Sequence, residues 1–355
     1  MVLCPSTARK VASVEPRMSS PSVSLVIPGK NAARTIDACL EAVVPLLSTG
    51  ELQEIIVVDD GSTDDTAEKA GRFPVRVLKT QGVGPGAARN VGWQNAAGEC
   101  VWFLDSDCVA RVDALSLLLA HLSDPEVAGA GGSYTNEVPD SALGWLIHEE
   151  IVARHASIRG RVTHLGTYNV LYRRQVLDGV GGFDEWEFNG PGAPGAEDAD
   201  LSYRIVDAGH ELRLEPESLA GHFHPTRLRS YWRAQWLHGY WGARLYARHP
   251  TKAENSYSGL LDHLQPPWAI GCVLLLPLLF FAPGRPWVVL GIAIAWLFLL
   301  VLSIPFAIRL FARTKSFRAL GYPLFSAARA LPRGFGMLRG FVSLVTGRKT
   351  PPVGR

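Results

Sequence analysis

Beyond Asp262 this 355-residue chain contains no aspartate or glutamate, although 11 lysines and arginines follow. That absence excludes a catalytic carboxylate from everything past that point. It also divides the molecule electrostatically. Residues 1–262 hold all 33 acidic and 24 of the 35 basic residues, a net charge of −9, whereas the remainder carries +11. Such asymmetry points to two environments. Cysteine is scarce as well. Cys4, Cys39, Cys100, Cys108 and Cys272 form no C-x-x-C pair and no His/Cys cluster. A disulfide framework and a structural zinc site are therefore excluded, and a reducing compartment fits better. Cys108 beside Asp107 reads as a small residue at a strand end rather than as a nucleophile. Residues 1–22 lack an apolar core of secretory length and carry Arg9, Lys10, Arg17 and three prolines. They are expected to be a disordered lead, with Met18 as an alternative start.

What is present is enough chain for one sizeable α/β domain plus a second element. Val23 to Ile27 reads as a buried strand ending at Pro28-Gly29, and Thr35 to Leu47 has the apolar spacing of a helix. Glu54 to Val58 is a second strand, ending in the turn-forming run Asp59 to Asp65, with a helix after it. Val75 to Leu78 is a third strand. A glycine-rich turn over 82–86 precedes a helix over 87–97. Cys100 to Leu104 is a fourth strand, ending at Asp105-Ser106-Asp107, and a helix is expected over 113–122. This alternation predicts a mostly parallel mixed sheet with helices on both faces. Ligands in such sheets sit beyond the carboxyl ends of the strands, where three polar clusters fall: Pro28–Asn31, Asp59–Asp60 and Asp105–Asp107. Later, Leu165 to Tyr172 reads as a strand, 179–195 as a loop, and Ala196 to Ala208 as a helix.

Two apolar segments close the chain. Trp287 to Ile308 is uncharged over 22 residues, the length of a spanning helix. Trp268 to Pro283 is uncharged over 16 and stands at the margin, spanning or re-entrant. The link 282–286 suits a tight hairpin, and Trp268 and Trp287 sit where interfacial aromatics do. Basic residues at 309–318 mark the cytoplasmic side, which places the large domain in the cytoplasm if both segments cross. The arginine-rich stretch 316–345 is expected along the membrane surface, its arginines on anionic headgroups. The expected units are a lead (1–22), a catalytic domain (23–250), a membrane hairpin (266–312) and a basic amphipathic tail (313–355).

Chemistry concentrates in a few residues. Asp105 and Asp107, one residue apart past a buried strand, can reach one hard cation together. Mg²⁺ or Mn²⁺ would take such oxygens and keep part of its shell for phosphate. Alone, a D-x-D is more often a turn and helix start. Asp60 can accept from a base N–H, or simply cap the next helix. Arg89, after the glycine turn, can pair with phosphate. Glu197-Asp198 at a helix start offers a general base, with capping the alternative. His222 and His224 compete to complete a metal site, and either alone is more often a surface histidine.

Val23-Ser-Leu-Val-Ile-Pro28-x-x-Asn31, Val57-Val-Asp-Asp60-Gly-Ser-Thr-Asp-Asp-Thr66, Gly86-Ala-Ala-Arg89-Asn90-x-Gly92 and Phe103-Leu-Asp105-Ser106-Asp107 occur in that order. Together with Gly195-Ala-Glu197-Asp198-x-Asp200-Leu201 they resemble the family 2 glycosyltransferases of the GT-A fold, over roughly Val23 to Tyr246. The resemblance implies a Rossmann-like GT-A catalytic domain, here followed by a transmembrane hairpin. It implies a nucleotide-sugar site formed by Pro28, Asn31, Asp60, Arg89, Asp105, Ser106 and Glu197. It implies Mg²⁺ or Mn²⁺ held by Asp107, Asp105 and a histidine, His222 or His224, with Asp198 as catalytic base. The expected partners are a nucleotide-sugar donor, a lipid-linked or glycan acceptor and a cell (inner) membrane crossed more than once, with no nucleic acid. Lys30 departs from the family's usual aromatic at that position. The Q-x-x-R-W signature of processive synthases is absent, which favours single transfers. A polyprenyl-phosphate sugar transferase and a non-catalytic nucleotide-binding membrane protein are the alternatives.

Overall fold

A computed structural model describes residues 21–158, 160–188, 195–252, 260–281 and 285–347. Most of the expected lead, part of the loop 179–195, the hairpin link 282–284 and the end of the tail lie outside these residues.

Nine strands form one sheet: β1 (Val23–Gly29), β2 (Glu54–Asp59), β3 (Arg76–Lys79), β4 (Cys100–Leu104), β5 (Cys108–Ala110), β6 (Val127–Asn136), β7 (Arg161–Val162), β8 (Asn169–Arg173) and β9 (Glu211–His222). Between them run α1 (Ile36–Val43), α2 (Pro45–Ser48), α3 (Thr66–Ala70), α4 (Pro85–Gln94), α5 (Ala114–His121), α6 (Ala142–His155), α7 (Arg174–Val180) and α8 (Glu197–Asp207). Five helices follow the sheet: α9 (Leu228–Arg248), α10 (Leu260–Leu275), α11 (Leu278–Phe281), α12 (Arg285–Thr314) and α13 (Tyr322–Thr346).

The sheet order is β3-β2-β1-β4-β8-β6-β9-β5, with β7 on β9. Its first half, β3 to β4, is parallel; β8 then runs antiparallel to both β4 and β6. The expected mixed sheet is present, with more antiparallel pairing than the alternation implied. The parallel strands are apolar throughout because both faces are covered. Leu25 and Ile27 face Ile36 and Leu40 of α1, while Val26 faces Ala88 and Trp93 of α4. Trp102 and Leu104 of β4 join the first cluster, Val101 and Phe103 the second. Each fully buried Leu, Ile or Val contributes about 1.5–3 kcal/mol. This two-sided core fixes the level at which β1, β2 and β4 end, and hence where their polar clusters meet.

The last helices differ from expectation in two respects. The first apolar segment belongs to a longer helical stretch: Asp262–Phe280 passes for a membrane span by length and composition, as does Arg285–Thr314. Only 11% of the most apolar window of α12 is buried, so that helix is no soluble core element. The tail also does more than follow the membrane. One face of α13 packs lengthwise on α9 across glycines: a Cβ on Gly336 would fall 1.9 Å from the Trp236 carbonyl oxygen, and one on Gly239 would fall 1.9 Å from that of Arg333. The other face leaves Leu324, Phe335, Leu338 and Val345 exposed. Arg329, expected on a headgroup, is 5% exposed and bonds Glu150 of α6 instead. Burial of this arginine requires a carboxylate, and α6 supplies it.

Candidate active site

The carboxyl ends of β1, β2 and β4 bring the first three clusters together. Asn31 has a positive φ of 54° and its Oδ1 accepts from Thr63 N at 2.8 Å, tying the loop after β1 to the loop after β2. Pro28 is buried within β1. Asp60 is 4% exposed, and its carboxylate accepts from Thr80 Oγ1, Val83 N (2.7 Å) and Gly84 N (3.0 Å). It therefore shapes the turn that starts α4. A carboxylate has about four acceptor positions, so one remains for a base. Ser106 packs beside Gly29, at the base of the same groove.

Arg89 is engaged by two carboxylates. Its guanidinium donates through Nη2 to Asp105 Oδ1 at 2.8 Å and through Nη1 to Glu197 Oε1 at 2.9 Å. Both Arg89 and Glu197 have side chains only 6% exposed. The three side chains form a brace: a desolvated guanidinium needs carboxylate partners, and Asp105 and Glu197 supply them. The brace joins the strand-end aspartates to the start of α8, nearly a hundred residues later. Asp198 follows Glu197 and is half-buried, its Oδ1 accepting from Ala199 N at 2.7 Å. Burial, reinforced by the Glu197 charge, raises its carboxyl to about 7. Asp200 is fully buried and serves structure, accepting from Arg204 and pairing with His249 of the loop after α9.

Strand pairing sets His222, not His224, beside Asp107. β5 runs antiparallel to β9 with Cys108 opposite His222, so Asp107 stands beside His222. His222 Nε2 lies 3.6 Å from Asp107 Oδ2, and its Nδ1 lies 3.1 Å from Nδ1 of His224. His224 is behind, 4% exposed, with a buried Nε2 that has no partner. Burial, with His222 and His148 adding, pushes His224 down to about 3, so it is neutral. Asp107, Cys108 and His222 form a group with ligand atoms within 4.8 Å of one another. Burial and the adjacent aspartates push the Cys108 thiol well up, which removes it both as nucleophile and as ligand for a hard ion. A carboxylate and an imidazole at this separation fit a divalent cation such as Mn²⁺, with His224 orienting His222 from behind.

Sequence reasoning passed over two tyrosines. Tyr134 of β6 stacks on Tyr168 with centroids 3.6 Å apart and meets His222 edge-on at 5.2 Å. Both line a cavity of about 450 Å³ that also reaches Asp198, and so walls from β6, the segment before β8, α6, α9 and α13 converge beside the candidate base. No motif signals these tyrosines; their place depends on pairings between distant strands.

Residues 24–181 match the family model described as glycosyl transferase family 2. A pre-mycofactocin glycosyltransferase of Mycobacterium tuberculosis is 33% identical over 247 residues, which cover 65% of this chain and 48% of that protein. Glycosyltransferase AglE of Haloferax volcanii is 28% identical over 222 residues, covering 58% and 68%. The chain spans about half the length of the first curated relatives it matches. Among solved structures, the mannosyltransferase PcManGT from Pyrobaculum calidifontis, in complex with GDP-Man and Mn²⁺, superposes with a TM-score of 0.56 at 18% identity. That alignment covers 93% of this chain and 89% of the other, and shows a common fold. The expected GT-A class is thereby borne out.

Proposed function

We propose that this chain, whose residues 24–181 match the family 2 glycosyltransferase model, transfers one sugar from a nucleoside-diphosphate sugar to an acceptor hydroxyl at a membrane. The carrying observation is the brace Asp105–Arg89–Glu197, which sets the candidate base Asp198 beside the strand-end aspartates. The donor would lie in the groove over Pro28, Asn31, Asp60 and Ser106. Asp107 and His222 would hold a Mg²⁺ or Mn²⁺ ion, and Asp105 would flank it. When bound, that ion supplies positive charge to the leaving diphosphate. Asp198 takes the proton of the acceptor hydroxyl. The acceptor oxygen bonds to the sugar's anomeric carbon as the bond from that carbon to the diphosphate oxygen breaks, and attack from the opposite face inverts the centre. Tyr134 and Tyr168 offer an aromatic face for an acceptor sugar.

α10 and α12 anchor this domain, with the basic segment 309–318 on the cytoplasmic side. The relatives' names and the solved neighbour's GDP-Man and Mn²⁺ support the donor and metal classes. The test is a screen of nucleotide sugars for Mn²⁺-dependent turnover by membranes containing the chain. Asp107→Ala and Asp198→Asn should both abolish transfer, and only the first should greatly weaken donor binding. Equal loss of donor affinity in both would overturn the division of roles. A largely active Asp198→Asn would point instead to an acceptor whose phosphate oxygen attacks directly and needs no base.

A further inference from the structure

The cavity beside Asp198 is built from two kinds of wall. The sheet and the start of α8 contribute Tyr134, Tyr168 and Asp198. Helices α6, α9, α10 and α13 contribute a buried set of charges. Arg154 bonds both Glu150 and Asp262, and Arg329 bonds Glu150 and lies 3.4 Å from Asp262. Arg333 has the loosest ties: Nη2 donates to Gln235 Oε1 at 2.6 Å, while Nη1 is 4.0 Å from Asp262. Among the described residues of these helices three guanidiniums thus share two carboxylates. The buried Nε atoms of Arg329 and Arg333 have no hydrogen-bond partner. Burial holds the neighbouring His155 and His164 near 4, so neither adds charge. Against burial, Arg329 and Arg154 hold Glu150 down to about 2, so it stays ionised and these two arginines are matched.

An excess guanidinium bordering a cavity of ligand size is costly unless an anion shares it. Arginine presents a planar fork suited to phosphate. We propose that this cavity is the acceptor site and that it selects a phosphate-bearing acceptor, with the phosphate on Arg333 and the reacting hydroxyl toward Asp198. The inference rests on the transferase reading above. A lipid headgroup and a soluble sugar phosphate both supply that group. α10 is both a cavity wall and a candidate span, which gives a lipid a route in.

The test uses the full chain in detergent with Mn²⁺ and measures ligand-induced change in melting temperature. Farnesyl phosphate is compared with farnesol, and glucose 1-phosphate with glucose. At least one phosphate compound should bind at least about tenfold more tightly than its neutral counterpart, the worth of one charge-assisted contact. The lipid pair and the soluble pair separate the two sources. Arg333→Gln should lose the same factor, and Arg333→Lys should recover much of it. Equal binding of phosphate and neutral compounds, binding of none, or full affinity in a folded Arg333→Gln would overturn the proposal. The wild-type comparison needs no variant, so a misfolded Arg333→Gln leaves the test standing. Binding is read without turnover. A chain that binds phosphates but turns over no nucleotide sugar would therefore count against the transferase reading, not against the anion site.

Discussion

Asp198 and Arg89 show how one residue's environment sets its role. A general base must be ionised to accept a proton, and burial with the Glu197 charge raises Asp198 to about 7. Below that pH the protonated form dominates, so kcat/KM should fall about tenfold per pH unit on the acid side and level off above about 7. A profile flat down to about pH 5 would remove Asp198 from the role. Arg89 touches no substrate in this arrangement, yet its loss should be severe. Arg89→Met would leave the buried Glu197, and the half-buried Asp105, without their counter-charge, at a cost of about 3–5 kcal/mol. The midpoint of chemical denaturation would measure it; an unchanged midpoint would mean that the brace carries no stability.

At the scale of elements, the seam between α9 and α13 is the least tolerant contact. Backbone approaches backbone at Gly239 and Gly336, with no room for a Cβ at either. Small residues allow the same close approach between helices within membranes. Gly336→Val should force the helices apart, and overpacking of this kind costs about 1–3 kcal/mol. The melting temperature should drop by several degrees and donor binding at saturating donor should survive, because the groove at β1, β2 and β4 lies on other elements. An unshifted melting temperature would show that α13 sits on α9 only loosely. β6 carries the same lesson in a strand. Its sequence, Val-Ala-Gly-Ala-Gly-Gly, has little strand propensity. Its glycines are required by their neighbours: a Cβ on Gly129 would meet the Tyr172 ring at 2.4 Å, and one on Gly132 would meet the Asn169 amide at 2.2 Å.

For the whole molecule, charge and apolarity are segregated along the chain. The acidic body holds the groove, and α12, apolar and little buried, is followed by basic residues. A chain held by α10 and α12 should stay in the pellet after alkaline carbonate extraction and need detergent for release. Release by carbonate alone would make the association peripheral, through the exposed apolar face of α13. The α9–α13 seam joins the last helices to the sheet domain, so these helices and the cavity form one assembly.

The sequence alone determined the parallel half of the sheet, because continuous apolar strands and helical spacing are local patterns. It also marked the strand-end aspartates, the Glu197-Asp198 pair and the longer apolar span. Tertiary structure decided the rest. The choice of His222 over His224 beside Asp107 follows from the β5–β9 register, which no local pattern encodes. The brace role of Arg89 follows from a contact spanning more than a hundred residues. The tail arginines read as headgroup contacts because their sequence shows only charge and spacing. Their partners, Glu150 and Asp262, lie far upstream, and burial is what made pairing with them obligatory.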